Sequence, residues 1–160
     1  MIRILIFFFI SPFGIIQGQN HCERYSDTYI PDKLEDAIDY LDCLWSEEDK
    51  EAFKAKPEEK AVASLHFGTG QSMRNDWGLW KGKNSLSRYF RTRGIFHPDD
   101  MSGIILTSFH RWLHGKDILL NEQISEYQAF WEQARQENLK KKINKRRKQK
   151  RALSEKKNTP

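Results

Sequence analysis

The stretch from His66 to Ser102 reads HFGTGQSMRNDWGLWKGKNSLSRYFRTRGIFHPDDMS. It holds three glycine-punctuated aromatic patches, an Arg74-Asn75-Asp76 triplet and a His97-Pro98-Asp99-Asp100 run. The last of these marks a helix start. Pro98 suits a first helical residue, because its missing N–H would have no intrahelical partner there, and Asp99 and Asp100 meet the positive end of the helix dipole. The helix is read to His114 with Gly115 as its stop, and Met101, Ile105, Phe109, Trp112 and Leu113 form its buried side.

Upstream of Pro98, Ile95-Phe96-His97 is a short link. Ser85 caps a short helix that ends at Arg93 and stops at Gly94. Asn75–Asn84 reads as a loop with Gly78 and Gly82, and Trp77, Leu79 and Trp80 are expected to plug it into the core. A helix opening at Pro57 carries Ala61, Ser64, Gly68 and Ser72 at three- and four-residue spacing, a small-residue stripe that lets another backbone approach. Glycines inside that helix cost about 1 kcal/mol each against alanine, so tight packing has to offset them.

Further upstream, Pro31-Asp32 opens a helix over 33–45 with Leu34, Ile38, Leu41 and Trp45 on one stripe. Ser46, followed by Glu47, Glu48 and Asp49, caps the next helix, which runs to Ala55. Downstream, Asp117–Leu120 leads into a long helix from Asn121 with Ile124, Tyr127, Trp131 and Ala134 on one stripe. Apolar patterning fades after Ala134, and no strand alternation competes anywhere. The expected fold is all-α: a compact bundle of about five or six helices whose long C-terminal helix runs into a basic, disordered tail.

The first residues resemble an export signal. Arg3 precedes an apolar run from Ile4 to Ile16, broken only by Ser11, Pro12 and Gly14, and the chain then turns polar. The run is shorter than the roughly 20 residues of a spanning helix. Residues 1–18 are therefore read as a signal peptide, 19–30 as a polar arm, 31–138 as the helical domain and 139–160 as the tail. The mature protein is expected to be periplasmic or secreted, with no transmembrane span.

Of 27 basic and 22 acidic residues, 11 basic and one acidic lie between Leu139 and Pro160. The tail is thus +10 and the remainder −5. Residues 140–151 could hold an anionic surface by charge alone. No aromatic follows Trp131 to stack on bases, and export argues against an intracellular polynucleotide, so nucleic acid is not an expected partner.

Two cysteines in an exported chain suggest a bridge. On the helical wheel Cys43 falls opposite the apolar stripe, near Glu35, Asp36 and Asp39. A Cys22–Cys43 disulfide would tie the arm across the outer face of the first helix.

Several polar groups could carry chemistry. His97, Asp99, Asp100 and Arg74, joined by His66, could form an acid/base cluster of a hydrolase-like enzyme. The same residues also suit a helix start fixed by an ion pair from Arg74, and that reading is preferred. His110 and His114 share a helix face at metal-binding spacing, but HRWLH lacks the glutamate of HExxH. A surface face near a helix C-terminus explains them better. GxSxG, CxxC, EF-hand and GxxxxGK patterns are absent from the sequence. No catalytic residue, metal or cofactor is assigned. Trp77 and Trp80 are the candidate interaction residues for an unknown protein or envelope component.

Taken together, His66-Phe67-Gly68-x-Gly70, Arg74-Asn75-x-Trp77-Gly78-Leu79-Trp80, His97-Pro98-Asp99-Asp100-Met101-Ser102 and the entry Pro31-x-x-Leu34-Glu35-Asp36-Ala37 resemble a small bacterial domain family of unknown function. The resemblance covers Pro31 to Gln123 and implies a small, mainly helical domain without an established activity. Gln71-Ser72 is more polar than that family's wording at the same place.

Overall fold

The structure is a computed structural model that describes residues 22–157; the signal-peptide reading and the start of the polar arm lie outside the described residues. Among the described residues there is one 3-10 turn (Cys22–Arg24), then seven α-helices and no strand. The helices are α1 Leu34–Leu44, α2 Glu47–Lys54, α3 Glu58–Leu65, α4 Thr69–Asp76, α5 Ser85–Arg91, α6 Pro98–Leu113 and α7 Leu120–Lys157.

Helix α6 is the axle. It packs against α1, α2, α3, α4 and α7, and Met101, Ile104, Ile105, Leu106 and Phe109 are buried along it. Phe109 lies at the centre of an aromatic stack, with ring centroids 5.3 Å from Trp45, 6.1 Å from Phe53 and 6.0 Å from Trp112. Trp112 itself is exposed along one side, contrary to its expected burial, and Leu113 is half-buried. Both belong to the last turn of α6, where the bundle ends.

Helix α1 buries Leu34, Ala37, Ile38 and Leu41 at the spacing of one face. The opposite side carries Cys43, bridged to Cys22 with a Cα–Cα distance of 5.3 Å. The arm does more than cross that face. Asp36, nearly buried, accepts hydrogen bonds from Tyr25 Oη (3.1 Å), Tyr29 Oη (2.8 Å), Arg24 Nη2 (2.9 Å) and the Asp32 amide (2.9 Å). Tyr25 and Tyr29 also pack on Tyr40, which stands edge-on to Trp77. The bridge closes a 21-residue separation, so reduction, or Cys43→Ser, is expected to lower the unfolding free energy by about 3 kcal/mol. Urea titration with and without reductant reads this directly; identical midpoints would show that the tyrosines alone hold the arm.

The helix expected from Pro57 through Ser72 divides into α3 and α4, which accounts for the seventh helix. The break falls at His66–Gly68, where Gly68 has φ −99° and ψ −107°. The small-residue stripe is thereby undone: Ala61 is buried, while Ser64, Gly68 and Ser72 face solvent. Gly70 makes the close approach instead. A Cβ there would lie 3.1 Å from Arg74 Nη1 and 3.2 Å from the Leu65 carbonyl.

Helix α4 extends into the expected loop and ends in a two-bond closure at Gly78 (φ +62°). Leu79 N–H donates to the Arg74 carbonyl (3.0 Å) and Gly78 N–H to the Asn75 carbonyl (3.1 Å). The following helix is capped by Asn84, whose side chain accepts from the Ser87 amide at 2.8 Å, rather than by Ser85. Helix α6 begins at Pro98 and ends before Gly115, as the sequence indicates.

Helix α7 docks on α6 through Ile124 and Tyr127. A Cβ at Gly103 would collide with the Tyr127 hydroxyl, so the close contact needs glycine on α6. From Arg135 to Lys150 every side chain of α7 is exposed. No helix among the described residues is long and apolar enough to cross a membrane.

Candidate functional site

Arg74 is almost fully buried and joins three parts of the chain. Nη1 donates to Ser102 Oγ (2.9 Å), Nη2 donates to the His66 carbonyl (3.0 Å), and Nε lies 2.9 Å from Asp99 Oδ1. The last is a close ion contact rather than a directed hydrogen bond. Ser102 Oγ in turn donates to the Asp99 carbonyl at 3.0 Å. The guanidinium therefore locks α4 to the start of α6 and satisfies a carbonyl freed by the α3–α4 break. His66 joins through its main chain; its imidazole stands edge-on to exposed Phe67.

His97 caps α6. The Asp99 amide donates to His97 Nδ1 at 3.3 Å, so that ring nitrogen carries the lone pair. The imidazole lies between two indoles, edge-on to Trp80 (5.8 Å) and tilted over Trp131 (5.6 Å). Trp131 Nε1–H donates to Asp100 Oδ2 at 2.6 Å, and burial pushes the Asp100 carboxyl above its ordinary pKa, against the opposing pull of that indole. Gln128 Nε2–H donates to the Arg93 carbonyl at 3.0 Å. These two bonds clamp α7 to both ends of the 94–97 link.

Between the clamps lies an open groove of about 650 Å³, lined by Gly94, Phe96, His97 and Asp100 on one side and by Gln128, Trp131, Glu132 and Arg135 of α7 on the other. That volume lies within the range of small-ligand sites. Phe96 is 65% exposed, Trp80 55% and Trp131 45%. Three large aromatic faces thus stand in solvent around one imidazole and one sequestered carboxylate.

The polar residues singled out in the sequence are therefore divided. His97 and Asp100 reach the groove; Arg74, Asp99 and the His66 carbonyl form the internal knot. Trp77 is buried in the core and cannot serve as a contact residue, because the closure at Gly78 turns Leu79 inward and Trp80 outward. Nothing local in the sequence marks Trp131 or Phe96 as site residues. Trp131 sits on the apolar stripe of its helix and reads as core, and Phe96 reads as linker. Their signal was two aromatics flanking His97 on separate elements, which becomes visible only once α7 is docked.

His110 is buried rather than on a surface face. Its Nε2–H donates to the Lys56 carbonyl (3.0 Å), and His114 Nδ1–H donates to the His110 carbonyl (2.8 Å). Burial lowers the His110 pKa and favours the neutral ring. Arg111 holds Glu58 of α3 with two bonds of 2.9 and 2.8 Å, which keeps that carboxyl below its ordinary pKa. Among the described residues no three His, Cys, Asp or Glu side chains gather as metal ligands.

Residues 30–113 match the family described as a domain of unknown function, DUF6794. The chain belongs to that family. The DUF6794 segment spans α1 to the end of α6 and includes Phe96, His97 and Asp100 of the groove and Trp80 beside His97. The wall contributed by α7, with Gln128, Trp131 and Arg135, lies beyond the matched residues. No curated protein and no solved structure matches the chain.

Proposed function

We propose that this protein is an exported binding module of the cell envelope, and that the groove between the 94–97 link and α7 is its ligand or partner site. One observation carries the reading: Phe96 and Trp131 hold large apolar faces in solvent on the walls of a preformed hollow, and exposed Trp80 stands beside His97 at its edge. Clustered exposed aromatics of this kind belong to interaction sites, where they bury much area at little entropic cost. The Cys22–Cys43 bridge supports the compartment, since such bonds persist outside the reducing cytosol.

The hydrolase alternative has less support. Arg74 and Asp99 are spent on each other, His97 Nδ1 on a helix cap, and Asp100 on the Trp131 indole. An acid/base pair needs a free proton carrier within reach of substrate.

The test uses nitrogen-15 spectra of the tryptophan side chains, titrated with fractionated envelope extract. Ligand-bearing fractions are expected to shift the indole signals of Trp80 and Trp131 and leave buried Trp77 unmoved. Phe96→Ala, which removes an exposed ring from the groove wall, is expected to weaken the interaction at least about tenfold, the scale of an aromatic hot spot. Shifts that map to other surfaces, or an unaltered affinity in Phe96→Ala, would defeat the groove as the site.

A further inference from the structure

Helix α7 is 38 residues long, about 57 Å at 1.5 Å per residue, and from Arg135 to Lys150 every side chain is exposed. A helix this exposed has no buried stripe of its own to hold it. Its composition is also one-sided. Leu139 to Lys150 contains six lysines and two arginines and no acid. Two apolar side chains interrupt the charge: Leu139 and Ile143, four residues apart on one face, 52% and 42% exposed. Arg146 and Lys150 continue the same row.

From this we infer that the outer half of α7 lies on an anionic phospholipid surface, with Leu139 and Ile143 turned toward the acyl boundary and the flanking cations among the headgroup phosphates. The pattern is that of an interfacial helix: a small apolar anchor surrounded by long cationic side chains whose methylene stems reach down while their heads stay at the phosphates. Charge complementarity sets the direction of approach. The rest of the chain is −5, so an anionic surface repels the body and attracts the tail. The outer half of α7 then holds the bundle at the membrane surface.

A polynucleotide is the other polyanion to weigh. Three features favour lipid. Lysine outnumbers arginine, giving diffuse point charges rather than planar forks for phosphate or guanine edges. No aromatic follows Trp131 to stack on a base. The disulfide belongs to an oxidising compartment.

The experiment is co-sedimentation of the full chain with vesicles of phosphatidylcholine alone and of phosphatidylcholine mixed with phosphatidylglycerol, across a salt series. The neutral vesicles also measure any contribution of the apolar run Ile4–Ile16, which is common to every variant. Partitioning is expected to be stronger on the anionic vesicles and to fall steeply with salt, as screening shortens the reach of the cations. Replacing Lys140, Lys141, Lys142 and Lys145 by glutamine is expected to weaken the anionic-vesicle partitioning about a thousandfold. Leu139→Ser with Ile143→Ser is expected to weaken it about tenfold while leaving the salt slope intact. Circular dichroism and urea midpoints matching the parent show that the variants keep the bundle. Equal binding to neutral and anionic vesicles, or an unaffected lysine variant, overturns the inference. So does release from the vesicles by duplex DNA at equal phosphate concentration. Full retention in the serine variant overturns the seating of Leu139 and Ile143.

Discussion

Phe109→Ala is expected to lower the unfolding free energy by about 3–5 kcal/mol, the range for removing a fully buried aromatic from a packed core. Phe109 is inaccessible to solvent on the central helix and is ringed by Trp45, Phe53 and Trp112. Those neighbours sit on α1's end, α2 and α6 itself, and α6 is held by five other helices. The hollow left behind cannot collapse without moving an axle that every neighbour constrains, so the upper part of the range is expected. Urea unfolding followed by tryptophan fluorescence measures it. Phe67→Ala is the matched control: that ring is 82% exposed, and its loss is expected to cost under about 0.5 kcal/mol. A Phe109→Ala variant that unfolds within about 1 kcal/mol of the parent would mean that the aromatic stack repacks and is not the keystone of the bundle.

Arg74→Ala is expected to cost about 2–3 kcal/mol. Truncating a buried ion pair commonly costs 3–5 kcal/mol because a charge is stranded, but Asp99 is partly exposed and water can take up its carboxylate. What remains is the loss of bonds to Ser102 Oγ and the His66 carbonyl and the void beside Gly70. Arg74→Lys is expected to recover less than half of the loss. An ammonium keeps the charge but cannot span acceptors on three segments as a planar guanidinium does. Comparing urea midpoints for the two variants tests this, and full rescue by lysine would show that charge alone matters. The α3–α4 break should loosen in Arg74→Ala, visible as faster amide exchange around Gly68.

The same residue explains why the break was not legible. Ala61, Ser64, Gly68 and Ser72 satisfy a helical period, and nothing local forbids a continuous helix through them except the cost of glycine. The chain opens there because Arg74, eight residues on, can take the freed His66 carbonyl while its other arm reaches Ser102 on α6. That is a contact across 28 residues, and no window of the sequence contains both ends. Locally encoded features fared differently. The start of α6 at Pro98, its stop at Gly115, the apolar face of α1 and the outward position of Cys43 all rest on signals within a turn or two. Asn84 displaced Ser85 as the cap of α5 by one residue, a shift between two side chains of nearly equal capping strength.

The groove shows the same division. His97 and Asp100 were marked by their place at a helix start, yet the hollow beside them needs Trp131, 31 residues beyond Asp100 and past the end of the family match. Its indole reaches that carboxylate because Gly103 lets Tyr127 and hence α7 come close to α6.

By itself, then, the order of residues determined an all-helical chain, most helix ends, the outward position of Cys43 and the separation of an acidic body from a basic extension. Those properties follow from periodicity, capping and charge, which act over a few residues. Only the tertiary structure decided which tryptophan faces water, where a helix breaks, and that an aromatic groove exists at all, because each depends on how closely two distant backbones can approach.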